Sequence, residues 1–351
     1  YLRMVKEGKV PMSVVDDKAS RVLRLIFRTA MNADGQFGAM SNDSHYETAY
    51  QVATEGVVLL KNQSVFKGES LLPLKQGKYK HILVVGDNAV RNLMAGGGSS
   101  ELKPKMVITP LEALVKELGS DCVTFSQGYM AGRPMFDRAD VIPQSVADSL
   151  YNAAIEEARK ADLVIFMGGL NKNYQQDCEG EDRRAYELPY GQDRLIEGLL
   201  KANKKLVVVL TSGNAVAMPW LKEVPSLVQS WYLGSMGGKS LADILSGAVN
   251  PSGKLPFSFP AKLTDCGAHA FDELSYPGDS IRQEYKEDIL VGYRWYDTKH
   301  IQPLFPFGYG LSYTQFEYGK PVISAREMKG DDVLEIRCNV KNVGSVAGKE
   351  I

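Results

Sequence analysis

A mixed-charge segment at 177–184, Asp-Cys-Glu-Gly-Glu-Asp-Arg-Arg, holds the side chains best suited to chemistry. It follows an apolar run at 163–167 and two glycines, which is the pattern of a buried strand that ends in a loop. In open α/β sheets, ligands bind in the loops at the carboxyl ends of the strands. Several carboxylates beside an arginine can supply a proton donor whose pKa is shifted by its neighbours. The segment therefore predicts an acid/base site.

Glu179, Glu181 and Asp182 are all candidates for the acid, and periodicity does not choose between them. A general acid must stay protonated near neutral pH, which burial or a neighbouring carboxylate can arrange. The competing interpretation is that these charges are simply solvated, as charge clusters on loops usually are. The position after a sheet strand and the presence of both signs of charge favour chemistry.

Other reactive patterns are missing from the sequence. There is no Gly-x-Ser-x-Gly elbow, and the four histidines (His45, His81, His269 and His300) stand apart, so we interpret each as surface or structural. The four cysteines lack the C-x-x-C spacing of a metal site. The glycine run at 96–98 does not form a G-x-G-x-x-G or P-loop pattern and favours a close-approach loop over a nucleotide site. We therefore predict neither a metal nor a cofactor.

Length and composition set the broad class. The chain has 351 residues, of which 44% are hydrophobic and 24% charged, as in a soluble globular protein of two or more domains. A formal net charge of -1 gives no reason to expect nucleic acid or an anionic membrane as partner. No apolar run reaches the roughly 18–20 residues that span a bilayer.

Apolar strands and amphipathic helices alternate from residue 82 onward. The predicted strands are 82–85, 122–125, 163–167, 206–210 and 227–231. The predicted helices between them lie near 110–118, 146–158, 191–202 and 239–245, and an earlier helix is predicted over 44–60. Continuous Val/Ile/Leu runs separated by helices are typical of a parallel sheet covered on both faces. The predicted fold is α/β, a layered α/β/α sandwich with a mostly parallel sheet. Alternation at 333–342 then predicts the opening of a separate β-sandwich.

Six short segments stand in a fixed order along the chain: ATEGVVLLKN at 53–62, LPL at 72–74, VG at 85–86, GGGS at 96–99, NPSGKLP at 250–256 and FGYGLSY at 307–313. Their order and spacing resemble glycoside hydrolase family 3, the β-glucosidase family, over nearly the whole chain. In that family a (β/α)8 barrel comes first, an α/β sandwich follows, and many members add a fibronectin type III-like domain.

The resemblance implies three regions in this chain. Residues 1–40 would be the end of the barrel domain and a linker, 41–308 the sandwich with the acid/base loop, and 309–351 the start of the fibronectin type III-like domain. The family's barrel supplies an aspartate nucleophile, and this chain contains neither the barrel nor that motif. The chain therefore resembles part of a larger protein, and we expect it to be inactive alone.

The resemblance also selects among the candidate residues. The segment 179–183 is similar to the family's acid/base loop, with Glu179 at the position of the acid/base glutamate. Asp182 and Arg183 would hold this loop or tune Glu179. A glycine-rich loop is implied to bind the substrate near its leaving group, through Gly97, Gly98 and Ser99.

The implied activity is that of a retaining, exo-acting β-glycosidase that releases terminal non-reducing β-D-glucose. Its substrates would be oligosaccharides or aryl and alkyl β-glycosides, and its partner the N-terminal barrel of the same protein. The alternatives are a β-xylosidase of the same family and a non-catalytic carbohydrate-binding or assembly module. Family analogy predicts a periplasmic or extracellular location, although this sequence contains no signal peptide, and it allows a homodimer.

Overall fold

The computed structural model describes residues 1–31, 38–66, 68–133, 138–179 and 183–351. The chain divides into two compact units, Tyr1–Asn42 and Asp43–Ile351. The first contains helices α1 (Leu2–Lys6) and α2 (Met12–Arg28), and neither helix has a buried residue. The apolar side of α2 is therefore solvent-exposed, with Leu23 and Phe27 among its exposed residues.

The second unit contains the remaining elements. Its helices are α3 (Asp43–Gly56), α4 (Pro110–Leu118), α5 (Gln144–Lys160), α6 (Gln192–Ala202), α7 (Gly237–Ser246) and α8 (Tyr293–Lys299). Its strands are β1 (Val58–Asn62), β2 (Ser64–Phe66), β3 (Glu69–Ser70), β4 (Ile82–Val85), β5 (Val123–Ser126), β6 (Leu163–Gly169), β7 (Leu206–Thr211), β8 (Ser226–Gln229), β9 (Phe316–Tyr318), β10 (Val322–Ile323), β11 (Ile336–Arg337) and β12 (Val340–Asn342).

A six-stranded sheet organises this unit, in the order β1-β8-β7-β6-β4-β5. Strands β5, β4, β6, β7 and β8 pair in parallel, and β1 pairs with β8 in the antiparallel direction. In the register of the central strand, Ile165 of β6 lies opposite Val84 and Val207. The carboxyl ends of the parallel strands therefore meet at one edge of the sheet.

Each face of the sheet has its own hydrophobic core. Every residue of β6 is buried, and successive side chains point to opposite faces, so that Phe166 belongs to one core and Ile165 to the other. Residues of α5 and α6, such as Ile155 and Leu195, complete the first core. Residues of α4 and α7 complete the second. This confirms the predicted layered α/β sandwich with a mostly parallel sheet.

The predicted helix at 44–60 is wrong at its carboxyl end. Helix α3 stops at Gly56, and Val58 begins the edge strand β1. Residues 57–60 are consecutive apolar residues that are all buried. Only a strand can direct alternate members of such a run into the two cores on opposite faces of a sheet.

The chain beyond the sandwich forms two short antiparallel pairs, β9 with β12 and β10 with β11. A fibronectin type III-like domain in this region and the three domain boundaries derived from the sequence stay predictions. Among the described helices, none is long and apolar enough to cross a membrane.

Two phenylalanines on different strands test the layered core. Phe166 is fully buried on the central strand β6, whereas Phe125 is 38% exposed on the edge strand β5. We expect Phe166→Ala to lower the free energy of unfolding by about 3–5 kcal/mol, because it leaves a cavity between sheet and helices. Phe125→Ala should cost about 1 kcal/mol. Urea denaturation followed by circular dichroism measures both, and equal losses would contradict the assignment of the core.

Candidate functional site

A cavity of about 580 Å³ opens at the carboxyl edge of the sheet. Loops that follow β4, β6, β7 and β8 contribute to its wall, together with the segment 263–276. Residues from these loops that line it include Gly97, Asp177, Arg183, Gly213, Tyr232 and His269. The cavity therefore lies where the sequence predicted a ligand site.

Two loops run side by side in this wall: the glycine loop (96–100) and the acidic loop (171–179). The Gly97 N–H donates to the Asp177 carbonyl at 2.9 Å, and the Glu179 N–H donates to the Gly97 carbonyl at 3.3 Å. The Ser99 N–H donates to Oε2 of Glu179 at 2.7 Å. These hydrogen bonds hold the Glu179 backbone and carboxylate against the glycine loop. Glu179 is exposed and is not among the residues that line the cavity, whereas its sequence neighbour Cys178 is.

Close approach of the two loops requires glycine. Gly98 has φ +85°, and a Cβ added there would overlap Glu179 Cβ and come within 2.9 Å of its Oε2. A Cβ at Gly97 would come within 2.9 Å of the Lys172 carbonyl oxygen. The glycine run is thus a close-approach loop, in which the absence of side chains lets a backbone N–H reach the carboxylate.

The hydrogen bonds to Glu179 favour its ionised form. This side chain is exposed, and its pKa is lowered because the Ser99 N–H and then the Ser99 hydroxyl donate to the carboxylate. An exposed glutamate is ionised at neutral pH in any case, and the lowered pKa favours that form further. Burial therefore does not supply the protonated form that a general acid requires.

Asp177 is a second carboxylate at the site, and the sequence reasoning passed over it. Its Oδ2 accepts hydrogen bonds from the Gly213 N–H at 2.7 Å and from the Tyr232 hydroxyl at 2.9 Å. Burial, and then the charge of Asp177, raises the pKa of Tyr232 above its ordinary value. The signal that could have indicated this pair is that both residues closely follow the carboxyl ends of sheet strands.

The structure places the remaining predicted residues as follows. Arg183 lines the cavity and donates from Nη2 to the Ala215 carbonyl at 2.8 Å. Asp182 and Glu181 lie outside the described residues. The roles assigned to Glu179, Asp182, Arg183 and the glycine loop stay predictions.

Aromatic and histidine side chains of the segment 263–276 form another part of the cavity wall. His269 packs edge-on against Tyr276, with ring centroids 4.7 Å apart. Burial lowers the pKa of His269, so its ring is neutral at neutral pH. Within the described ranges, no group of three His, Cys, Asp or Glu side chains is placed to hold a metal ion. The wall can therefore offer a ligand hydrogen bonds and ring faces.

A pair of glycine substitutions tests the close approach. Gly98→Ala and Gly77→Ala both place alanine at positive φ, which costs about 1–2 kcal/mol at each site. A Cβ at Gly77 meets nothing within 4 Å, so only Gly98→Ala should push Glu179 away from the Ser99 N–H. Hydrogen–deuterium exchange of a peptide that covers 96–100 should accelerate in Gly98→Ala and not in Gly77→Ala. The same exchange rate in both variants would contradict the paired-loop geometry.

The chain is similar in sequence to a known protein family and to characterised proteins. Residues 57–313 match the glycosyl hydrolase family 3 C-terminal domain. The beta-glucosidase BoGH3A of Bacteroides ovatus is 68% identical over 351 residues, which are 100% of this chain and 47% of that protein. The thermostable beta-glucosidase B of Acetivibrio thermocellus is 37% identical over 349 residues, 99% of this chain and 43% of that protein.

A solved structure agrees with the sequence relatives. DesR, a beta-glucosidase from Streptomyces venezuelae crystallised with D-glucose, superposes with a TM-score of 0.84 at 26% identity, over 97% of this chain and 54% of that one. The chain thus spans about half the length of the proteins it matches. The match over 57–313 and the full-length alignment with BoGH3A confirm the resemblance seen in the sequence. The chain belongs to glycoside hydrolase family 3 and carries the C-terminal domain of that family.

Proposed function

We propose that this chain supplies the general acid/base, Glu179, of a retaining, exo-acting β-glycosidase that releases terminal non-reducing β-D-glucose. The observation that carries the proposal is the hydrogen bond from the Ser99 N–H to the Glu179 carboxylate, in a loop whose residues Asp177 and Cys178 line a cavity of about 580 Å³. The relatives named beta-glucosidases support the substrate class.

The reaction needs a second carboxyl group. Retaining glycosidases place two carboxyl groups about 5–5.5 Å apart on either side of the scissile bond. We assign the nucleophile to an aspartate of an N-terminal (β/α)8 barrel in the same protein. That aspartate attacks the anomeric carbon while Glu179 protonates the departing oxygen. Glu179, now ionised, then removes a proton from the water that releases the sugar.

The charge of the nucleophile explains how Glu179 changes role. An ionised carboxylate nearby raises the pKa of Glu179 and favours the acid form before the first step. When the nucleophile becomes a neutral ester, that repulsion ends. The Ser99 hydrogen bonds then lower the pKa of Glu179 and favour the base form, which the second step requires.

Substitution of Glu179 tests its role in the complete gene product that contains this chain. We expect Glu179→Gln to reduce kcat/KM by about 10²–10⁴-fold on cellobiose, whose leaving group needs protonation. The glycosylation step with 2,4-dinitrophenyl β-glucoside should change much less, because that leaving group departs without a proton. In Glu179→Ala, azide should restore turnover of the activated substrate and yield the β-glycosyl azide, since azide needs no base.

The outcomes separate the alternatives. Normal turnover of cellobiose by Glu179→Gln would mean that another group protonates the departing oxygen. A wild-type protein that binds glucosides but hydrolyses none would instead be a carbohydrate-binding or assembly module. A panel of 4-nitrophenyl glycosides distinguishes β-glucosidase from β-xylosidase, and the anomer formed first, read by NMR, tests retention.

We also propose that the complete protein works in the periplasm or outside the cell, by analogy with family members that carry a third domain. Fractionation by osmotic shock tests this location, and activity confined to the cytoplasm would contradict it.

A further inference from the structure

We propose that Asp177 is a positioning residue that anchors the acidic loop to the ends of β7 and β8 and thereby holds Glu179 in place. The proposal rests on the role assigned to Glu179 above. Asp177 itself contacts the loops and need not touch the reacting atoms.

Asp177 connects four loops through two different groups. Its carboxylate accepts from the Gly213 N–H, after β7, and from the Tyr232 hydroxyl, after β8. Its backbone carbonyl accepts from the Gly97 N–H, in the glycine loop after β4. Asp177 stands only two residues before Glu179 in the loop after β6. The position of the Glu179 backbone is therefore determined by contacts to three neighbouring strand ends.

The backbone next to Asp177 and next to Tyr232 adopts an unusual conformation. Gln175, two residues before Asp177, has φ +58°, and Trp231, directly before Tyr232, also has φ +58°. This region is unfavourable for residues other than glycine, and such conformations persist only where the surroundings enforce them. The Trp231 indole N–H donates to the Gly56 carbonyl at 3.0 Å, which helps to hold that turn. Non-glycine residues in this conformation concentrate at functional sites, and here they flank the two ends of one hydrogen bond.

A carboxylate suits this anchor better than a neutral acceptor. Hydrogen bonds to an ionised acceptor are shorter and stronger than neutral ones. One oxygen of Asp177 accepts hydrogen bonds from both a backbone N–H and a phenol hydroxyl. An amide at this position keeps the shape and an acceptor oxygen but loses the charge.

Loss of the anchor should resemble a partial loss of Glu179. A general acid must lie within hydrogen-bond reach of the departing oxygen, and a displacement of about 1 Å can cost about 10²-fold in rate. A displaced Glu179 impairs substrates that need protonation more than substrates that do not. A general loss of stability has no such selectivity.

The experiment compares Asp177→Ala, Asp177→Asn and Tyr232→Phe in the complete gene product. The measured quantity is the ratio of kcat/KM for cellobiose to kcat/KM for 2,4-dinitrophenyl β-glucoside. We expect Asp177→Ala to lower this ratio by about 10- to 100-fold. Asp177→Asn should lower it less, since the amide oxygen still accepts, and Tyr232→Phe should lower it in the same direction.

The matched control is Asp162→Ala, at the opposite end of the sheet. Oδ2 of Asp162 accepts from the backbone N–H groups of Lys80 at 2.8 Å and His81 at 3.0 Å, just before β6 and β4 begin. This variant should lower the melting temperature without changing the ratio. If Asp177→Ala lowers kcat/KM for both substrates equally, as a general structural loss would, the positioning role is wrong.

A second readout separates this proposal from the role of Glu179. Hydrogen–deuterium exchange of peptides that cover 96–100 and 171–179 should accelerate in Asp177→Ala and stay near wild type in Asp162→Ala. Unchanged exchange in Asp177→Ala overturns the anchor even if Glu179 is the acid/base. Accelerated exchange in Asp177→Ala supports the anchor of the loop. If Glu179→Gln nevertheless hydrolyses cellobiose normally, Glu179 is not the group that protonates the departing oxygen.

Discussion

The hydrogen bond from the Ser99 N–H to the Glu179 carboxylate is the contact on which the site depends. It joins a loop that follows β4 to a loop that follows β6, at the edge where the parallel strands end. The contact forms only because Gly97 and Gly98 present no side chain to the opposing loop. The fully buried strand β6 sets the starting point of the acidic loop and gives it a rigid base. Sheet order, glycine placement and carboxylate position are therefore parts of one arrangement.

The same hydrogen bond constrains the chemistry. It lowers the pKa of Glu179 and stabilises the ionised form. The proposed role requires Glu179 to act as an acid in one step and as a base in the other, and its environment in this chain favours the ionised form. In the proposed mechanism, the ionised nucleophile of the barrel raises the pKa of Glu179 and favours the acid form before the first step.

The sequence predicted the elements with the strongest patterns. Continuous apolar runs located β4, β6 and β7, and helical periodicity located α4 and α6. The run at 57–60 was misread because a helix leads directly into it, and a buried strand at a sheet edge has no period of its own. Pairing with β8, some 170 residues away, decides that conformation, and no local pattern reports it.

Only part of the candidate site was predictable, because contacts between residues distant in the sequence complete it. The segment that contains Glu179 was visible as a charged loop after a strand, and the family resemblance singled out Glu179. Asp177 stood in the same segment without a distinguishing feature, because its partner Tyr232 is 55 residues away in sequence. The two residues come together only through the order of β6, β7 and β8 in the sheet. The direction in which the pKa of Glu179 is shifted also could not be inferred, since it depends on a backbone N–H contributed by a separate loop.

A crystal structure of the complete protein with an uncleavable S-linked glucoside tests the account most directly. We predict that a Glu179 carboxylate oxygen lies within about 3.5 Å of the glycosidic sulfur and about 5–5.5 Å from the carboxyl group of the nucleophile. The account is contradicted if Glu179 points into solvent while another carboxyl group contacts that sulfur.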